Sequence, residues 1–141
     1  MSLTGVWMNE LHSVMLLVEH ADQSLTGKYR SAVGRDTGVR DLSGRTSKAE
    51  GGNQVVAFAA CFELAEPRPG EGHFSACAWS GWLEKNAAGD ETIRAHWLLS
   101  VEIPDTKDRW SATKIGESIF QKISPVADEQ LLTDNSASRN Y

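Results

Sequence analysis

Eight stretches of alternating apolar and polar residues follow one another along this chain, at about 5–13, 15–20, 25–33, 39–46, 54–64, 74–84, 92–101 and 111–122. A period of two places alternate side chains on opposite faces of an extended strand. The gaps between them are turn chemistry. Ala21-Asp22-Gln23-Ser24, Gly51-Gly52-Asn53 and Asn86-Ala87-Ala88-Gly89-Asp90 read as hairpin loops, and Pro67-Arg68-Pro69-Gly70-Glu71-Gly72 as a breaker-rich connection. No intervening segment has the length and period of a helix, apart from a short turn around residues 104–109. Eight sequential strands on short loops predict an all-β, eight-stranded antiparallel up-and-down barrel, because closure removes exposed edges. A two-sheet sandwich is the alternative with the same periodicity. The predicted barrel domain covers residues 1–123. From Ser124 the alternation stops, and residues 124–141, polar and rich in Ser and Asn, read as a flexible tail in which only Leu131-Leu132 could dock.

The 141 residues suffice for one domain with a core of its own. A net charge of −5, with basic residues only loosely grouped at Arg35, Arg40, Arg45 and Lys48, argues against nucleic acid and anionic membrane surfaces as partners. No apolar run is long enough to span a bilayer as a helix, and residues 14–18 read as a strand. The strand pattern begins by Gly5 with no charged and apolar leader before it, so the chain is expected to be either intracellular or written without a trimmed leader; its localisation stays open. The pleat turns Cys61 outward and Cys77 inward with Ser75 and Trp79, so the two cysteines are expected as free thiols and no metal site is expected.

The five tryptophans show what the barrel could hold. In extended geometry Trp7, Asn9, Leu11 and Ser13 share one face, as do Ser75, Cys77 and Trp79, and Trp97 and Leu99. Indoles alternating with amides and hydroxyls suit neither plain core nor solvated surface. They suit a cavity that grips an apolar ligand and orients it by a few hydrogen bonds. Catalysis fits less well. His12, His20, His73 and His96 form no base–orienter–nucleophile set, and there is no phosphate-binding glycine loop.

Five segments in order carry a more specific pattern: Gly5-Val6-Trp7-Met8-Asn9-Glu10-Leu11-His12-Ser13, Leu25 through Gly34, Trp79-Ser80-Gly81, Trp97-Leu98-Leu99 and Trp110-Ser111-Ala112-Thr113. Together they resemble the avidin and streptavidin family of biotin-binding barrels, over residues 3 to about 123. The resemblance implies biotin as ligand, no cofactor, and a homotetramer, with a homodimer as the alternative. It implies that Asn9, Ser13 and Tyr29 donate to the ureido oxygen and that Ser31 accepts from a ureido N–H. Trp79, Trp97 and Phe62 would wall the ring and chain, with Leu11, Val33 and Leu99 filling gaps. Ser75 and the loop from Gly34 would meet the carboxylate, which Arg35 could pair. Trp110 would close the pocket of a neighbouring subunit.

Several positions depart from the family pattern, Arg35 and Asp36 among them, which replace small polar loop residues. Ser118 stands where an acid or amide usually receives the second ureido N–H, and losing a charge-assisted bond of about 1.5–3 kcal/mol weakens a complex roughly tenfold to a hundredfold. Phe62 replaces a tryptophan. Cys77 replaces a hydroxyl near the biotin sulfur, and a thiol is a poorer donor. Two alternatives therefore stand beside biotin binding: a lipocalin-like carrier of another apolar ligand, and an avidin relative with weakened biotin binding.

Overall fold

A computed structural model describes residues 2–32, 38–104 and 111–133. Its strands are β1 (Gly5–Met8), β2 (Val14–Glu19), β3 (Ser24–Arg30), β4 (Val39–Thr46), β5 (Gln54–Glu63), β6 (Phe74–Lys85), β7 (Glu91–Val101) and β8 (Thr113–Ser124). They form one closed barrel in sequence order, every neighbouring pair antiparallel, with β8 pairing back onto β1. This is the up-and-down barrel expected, and it replaces the sandwich alternative. Along β5 the alternation is complete: Gln54, Val56, Phe58 and Ala60 are buried, while Val55, Ala57, Ala59 and Cys61 are exposed. Cys61 is exposed and Cys77 buried, and both are free.

Strand β1 is shorter than its sequence pattern. The Asn9 side-chain Oδ1 accepts from the backbone N–H of Leu11 at 3.0 Å and of Ser13 at 2.9 Å. A side chain that offers the backbone such bonds competes with the strand ladder, and here it closes a tight turn in which His12 takes φ 67°. Residues 9–13 therefore leave the strand ladder, although Asn9 and Ser13 stay buried. Leu11 is carried out to half exposure, at 50%.

The continuous apolar run in β2 has a physical reason that alternation alone does not supply. Met15 and Leu17 point into the barrel, whereas Val14 and Leu16 lie outside it and are nevertheless buried. Their cover is a single helical turn, α1 (Gln130–Thr133), whose Leu132 is 1% exposed against Val6, Val14 and Leu16. The Leu132 carbonyl accepts from Arg30 Nη1 at 2.8 Å. A strand buried on both faces needs apolar residues at consecutive positions. Burying a leucine side chain contributes about 1.5–3 kcal/mol, enough to hold the start of the C-terminal segment on the barrel wall.

One end of the barrel is shut by polar groups. Gln54 Nε2 donates to Thr46 Oγ1 at 2.9 Å and to Glu19 Oε2 at 3.2 Å, and Lys122 pairs with Glu91 at 3.1 Å. The Trp7 indole N–H donates to the Leu3 carbonyl at 2.9 Å beneath the Lys122 ammonium. The opposite end, bearing the β1–β2, β3–β4, β5–β6 and β7–β8 connections, is termed the mouth.

Candidate functional site

The side chains nearest the mouth inside the barrel are built on Tyr29. Its ring lies 4.9 Å from Trp79 at a 39° tilt, with Phe62 edge-on at 5.7 Å and Phe120 at 6.5 Å. Trp79 in turn stacks on Phe58 at 5.2 Å and 23°. Register explains the grouping. Phe58 pairs with Trp79, Trp79 with Trp97, Ala60 with Cys77, and Cys77 with Leu99, so inward positions of β5, β6 and β7 meet on one level. Ser75, Trp97, Leu99 and Phe62 are half-buried there, and the last three pack against the core.

The polar groups in this apolar wall are arranged as donors. Ser13, 1% exposed, accepts the Ala32 backbone N–H at 3.0 Å on its Oγ and hydrogen-bonds Tyr29. The serine oxygen has a second lone pair, so this bond is open to either hydroxyl as its donor. Burial pushes the Tyr29 pKa up to about 12, partly offset by the Ser13 bond and reinforced by the nearby Cys77 and Glu10. The phenol is accordingly protonated throughout the neutral range. Asn9, 7% exposed, spends its carbonyl oxygen on two backbone N–H groups, so its amide N–H groups are what it can offer. A carbonyl oxygen placed among these groups would meet several donors at once, while the rings around it accept nothing.

Ser118 is 4% exposed on β8 opposite Ala95. Ser31 lies half-buried just past the end of β3 and already has a partner. Cys77, 6% exposed, has its thiol pushed up to about 12 by burial, so it is a neutral, weak donor. Leu11, in the turn described above, is 50% exposed. Val33, Gly34, Arg35 and Trp110 lie outside the described residues.

Three residues of the pocket were not singled out by sequence reasoning. Phe58 and Phe120 complete the ring cluster, and the alternation from Phe62 and from Ser118 pointed to both. Glu10 had no such signal. Its Oε2 accepts the Ile119 backbone N–H at 3.0 Å, tying the β1–β2 turn to β8 beside Ser118. Gly116 matters through what it lacks: a Cβ there would lie 2.2 Å from Trp97 Cζ2 and 2.5 Å from Cε2. The indole lies flat across that glycine.

A concavity of about 1010 Å³ runs along the same strands. Its walls are residues that flank the inward positions, among them Ala57, Ala59, Ala78, Ser80, Leu98 and Ile115. Its lining also takes in Phe58, Trp79, Trp97 and Gly116 of the inward set.

Comparison with known proteins agrees with this geometry. The chain is 27% identical over 131 residues to avidin-related protein 4/5 of Gallus gallus, covering 90% of this chain and 81% of that protein. It is 27% identical over 127 residues to Gallus gallus avidin, covering 86% and 78%. The solved structure of a biotin binding protein from chicken superposes with a TM-score of 0.73 at 27% identity, covering 86% of this chain and 96% of that one. The sequence profile of the Avidin family matches residues 1–123, the whole span from the first strand to the last, so a barrel closed in sequence order around a tyrosine, an asparagine and paired indoles has its counterpart in sequence: this chain belongs to the avidin family.

Proposed function

We propose that this protein binds biotin without chemically changing it, holding the ureido ring at the Asn9–Ser13–Tyr29 donors between Trp79 and Trp97. The observation that carries this reading is the buried donor set. Three polar side chains, each 7% exposed or less, present N–H and O–H groups to the interior of an aromatic barrel. A strongly polarised urea carbonyl would accept from such donors, at a net of about 0.5–1.5 kcal/mol per hydrogen bond. A purely apolar guest would not, which disfavours a lipocalin-like carrier. Phe62 and Leu99 would line the aliphatic chain, Ser75 would meet the carboxylate, and Ser118 would take the second ureido N–H. Because a serine is short and neutral and Cys77 donates weakly, we read the affinity as lower than in a site with an acid or amide at position 118.

Calorimetric titration of the purified chain tests this directly. Biotin should give saturable heat and raise the melting temperature, as any ligand of the folded state does. Heat with a fatty acid and none with biotin would sink the reading. Tyr29→Phe keeps the ring and removes one donor, and should weaken biotin about tenfold to a hundredfold with little change in fold stability. Unchanged affinity would mean that the ureido end lies elsewhere.

Self-association belongs to the same reading. The outer concavity exposes Leu98 at 47% and Ile115 at 77%, an apolar surface suited to a second copy of the chain. We read the assembly as a homotetramer, with a homodimer as the alternative. Light scattering at micromolar concentration should give a multiple of the 15.4 kDa chain mass, and Ile115→Lys should lower it.

A further inference from the structure

The outward faces of β6, β7 and β8 carry a charge cluster that ligand binding leaves unused. Ser80, His96 and Glu117 are paired in register, each beside an inward position at Trp79, Trp97 or Gly116, so their side chains point away from the pocket. Glu117 is the hub. Its Oε1 accepts from Arg94 Nη1 at 2.8 Å, and its Oε2 lies 3.3 Å from His96 Nε2. Arg94 reaches on to Glu84 Oε1 at 3.4 Å, and the Trp82 indole N–H donates to Glu84 Oε2 at 2.8 Å. The remaining outward neighbours of His96 are uncharged: Ala78 and Ser80 on β6, Leu98 on β7, Ile115 and Ile119 on β8. Among the described residues the next charges are Glu10, on the Ile119 backbone N–H, and Arg45, across the concavity on β4, whose Nη2 donates to the Asp22 carbonyl.

The cluster borders the bare apolar surface of Leu98 and Ile115, whereas the outer wall of β1 and β2 is already covered by Leu132. A second copy of the chain is the occupant whose charges fit. In a two-fold interface each surface meets itself, so a patch has to complement its own charges. This one sets the carboxylates of Glu84 and Glu117 against the Arg94 guanidinium and the His96 imidazole. With the imidazole charged the signs balance, and a two-fold rotation can bring acid opposite base. With it neutral, each patch has a carboxylate in excess, and two such patches repel. Of these side-chain types only imidazole ordinarily changes charge between about pH 5 and 8.

We propose that this face pairs with a second copy of the chain and that protonation of His96 switches the pairing from weak to tight. The inference rests on the self-association reading above and adds the residue that regulates it.

The test is fluorescence-detected sedimentation of the full chain over a dilution series, at about pH 8 and about pH 5.5, in the wild type, His96→Gln and Glu117→Gln. The wild-type association constant should rise about tenfold from the higher pH to the lower, and by less in high salt. His96→Gln should keep the weak constant at both pH values. Glu117→Gln removes the excess carboxylate, so it should associate more tightly than the wild type at the higher pH and loosen at the lower, where its cluster turns net positive. Neither the falling net charge of the whole chain nor a damaged fold reverses the sign in this way. A wild-type constant that ignores pH overturns the proposal and leaves self-association standing. So does either variant retaining the wild-type response, which would put the switch at another group such as His12, His20 or His73. A chain that stays monomeric at both pH values overturns the self-association reading and this proposal with it.

Discussion

Replacing Trp79 with alanine should lower the unfolding free energy by about 3–5 kcal/mol and abolish tight ligand binding, measured by urea denaturation and by calorimetry. The indole is 4% exposed and is held on two sides, stacked on Phe58 and tilted against Tyr29. Truncation removes both contacts and leaves a cavity that strands fixed in a closed ladder cannot collapse to fill. Against a typical total stability of about 5–15 kcal/mol, that is a large share. Trp79→Phe keeps a ring in the stack and should cost less than half as much. If Trp79→Ala folds and binds biotin with wild-type affinity, Trp79 is core alone and the pocket wall is misassigned.

Gly116→Val should be almost as damaging, for a different reason. The new Cβ would fall inside the van der Waals radius of the Trp97 indole, so that ring must leave its place. Overpacking of this kind costs about 1–3 kcal/mol in stability. The larger consequence should be at the pocket, where displacement of Trp97 removes one aromatic wall and weakens biotin at least tenfold. A double-mutant cycle with Trp97→Ala isolates the cause. Once the indole is gone, the valine should cost little more. Additive losses in the double mutant would mean that position 116 acts through the strand backbone and not through Trp97.

Much of this was legible because a two-residue period is a local property. The eight strands, their order and the opposite orientations of Cys61 and Cys77 follow from alternation and turn chemistry, with strand ends displaced by up to five residues. Reading alternation through residues 5–13 failed at Asn9, because the period continued in sequence while the Asn9 side chain had captured the backbone. That capture gave Asn9 its orientation, with the carbonyl oxygen spent on the backbone. The unbroken apolar run at 14–18 signalled a strand covered on both faces, but what covers the outer one depends on where residues 130–132 return in space.

By itself, then, the sequence determined the topology and the faces of the strands: a closed eight-stranded barrel with a tyrosine and indoles at inward positions. Side-chain direction in a strand is set residue by residue, so these features needed no tertiary information. Tertiary structure alone decided register and proximity: that Glu10 bonds β8, that Gly116 makes room for Trp97, and that Leu132 seals β1 and β2 from outside. Each of these joins residues far apart in the chain, and only closure of the barrel, with the return of the chain end across its wall, brings them together.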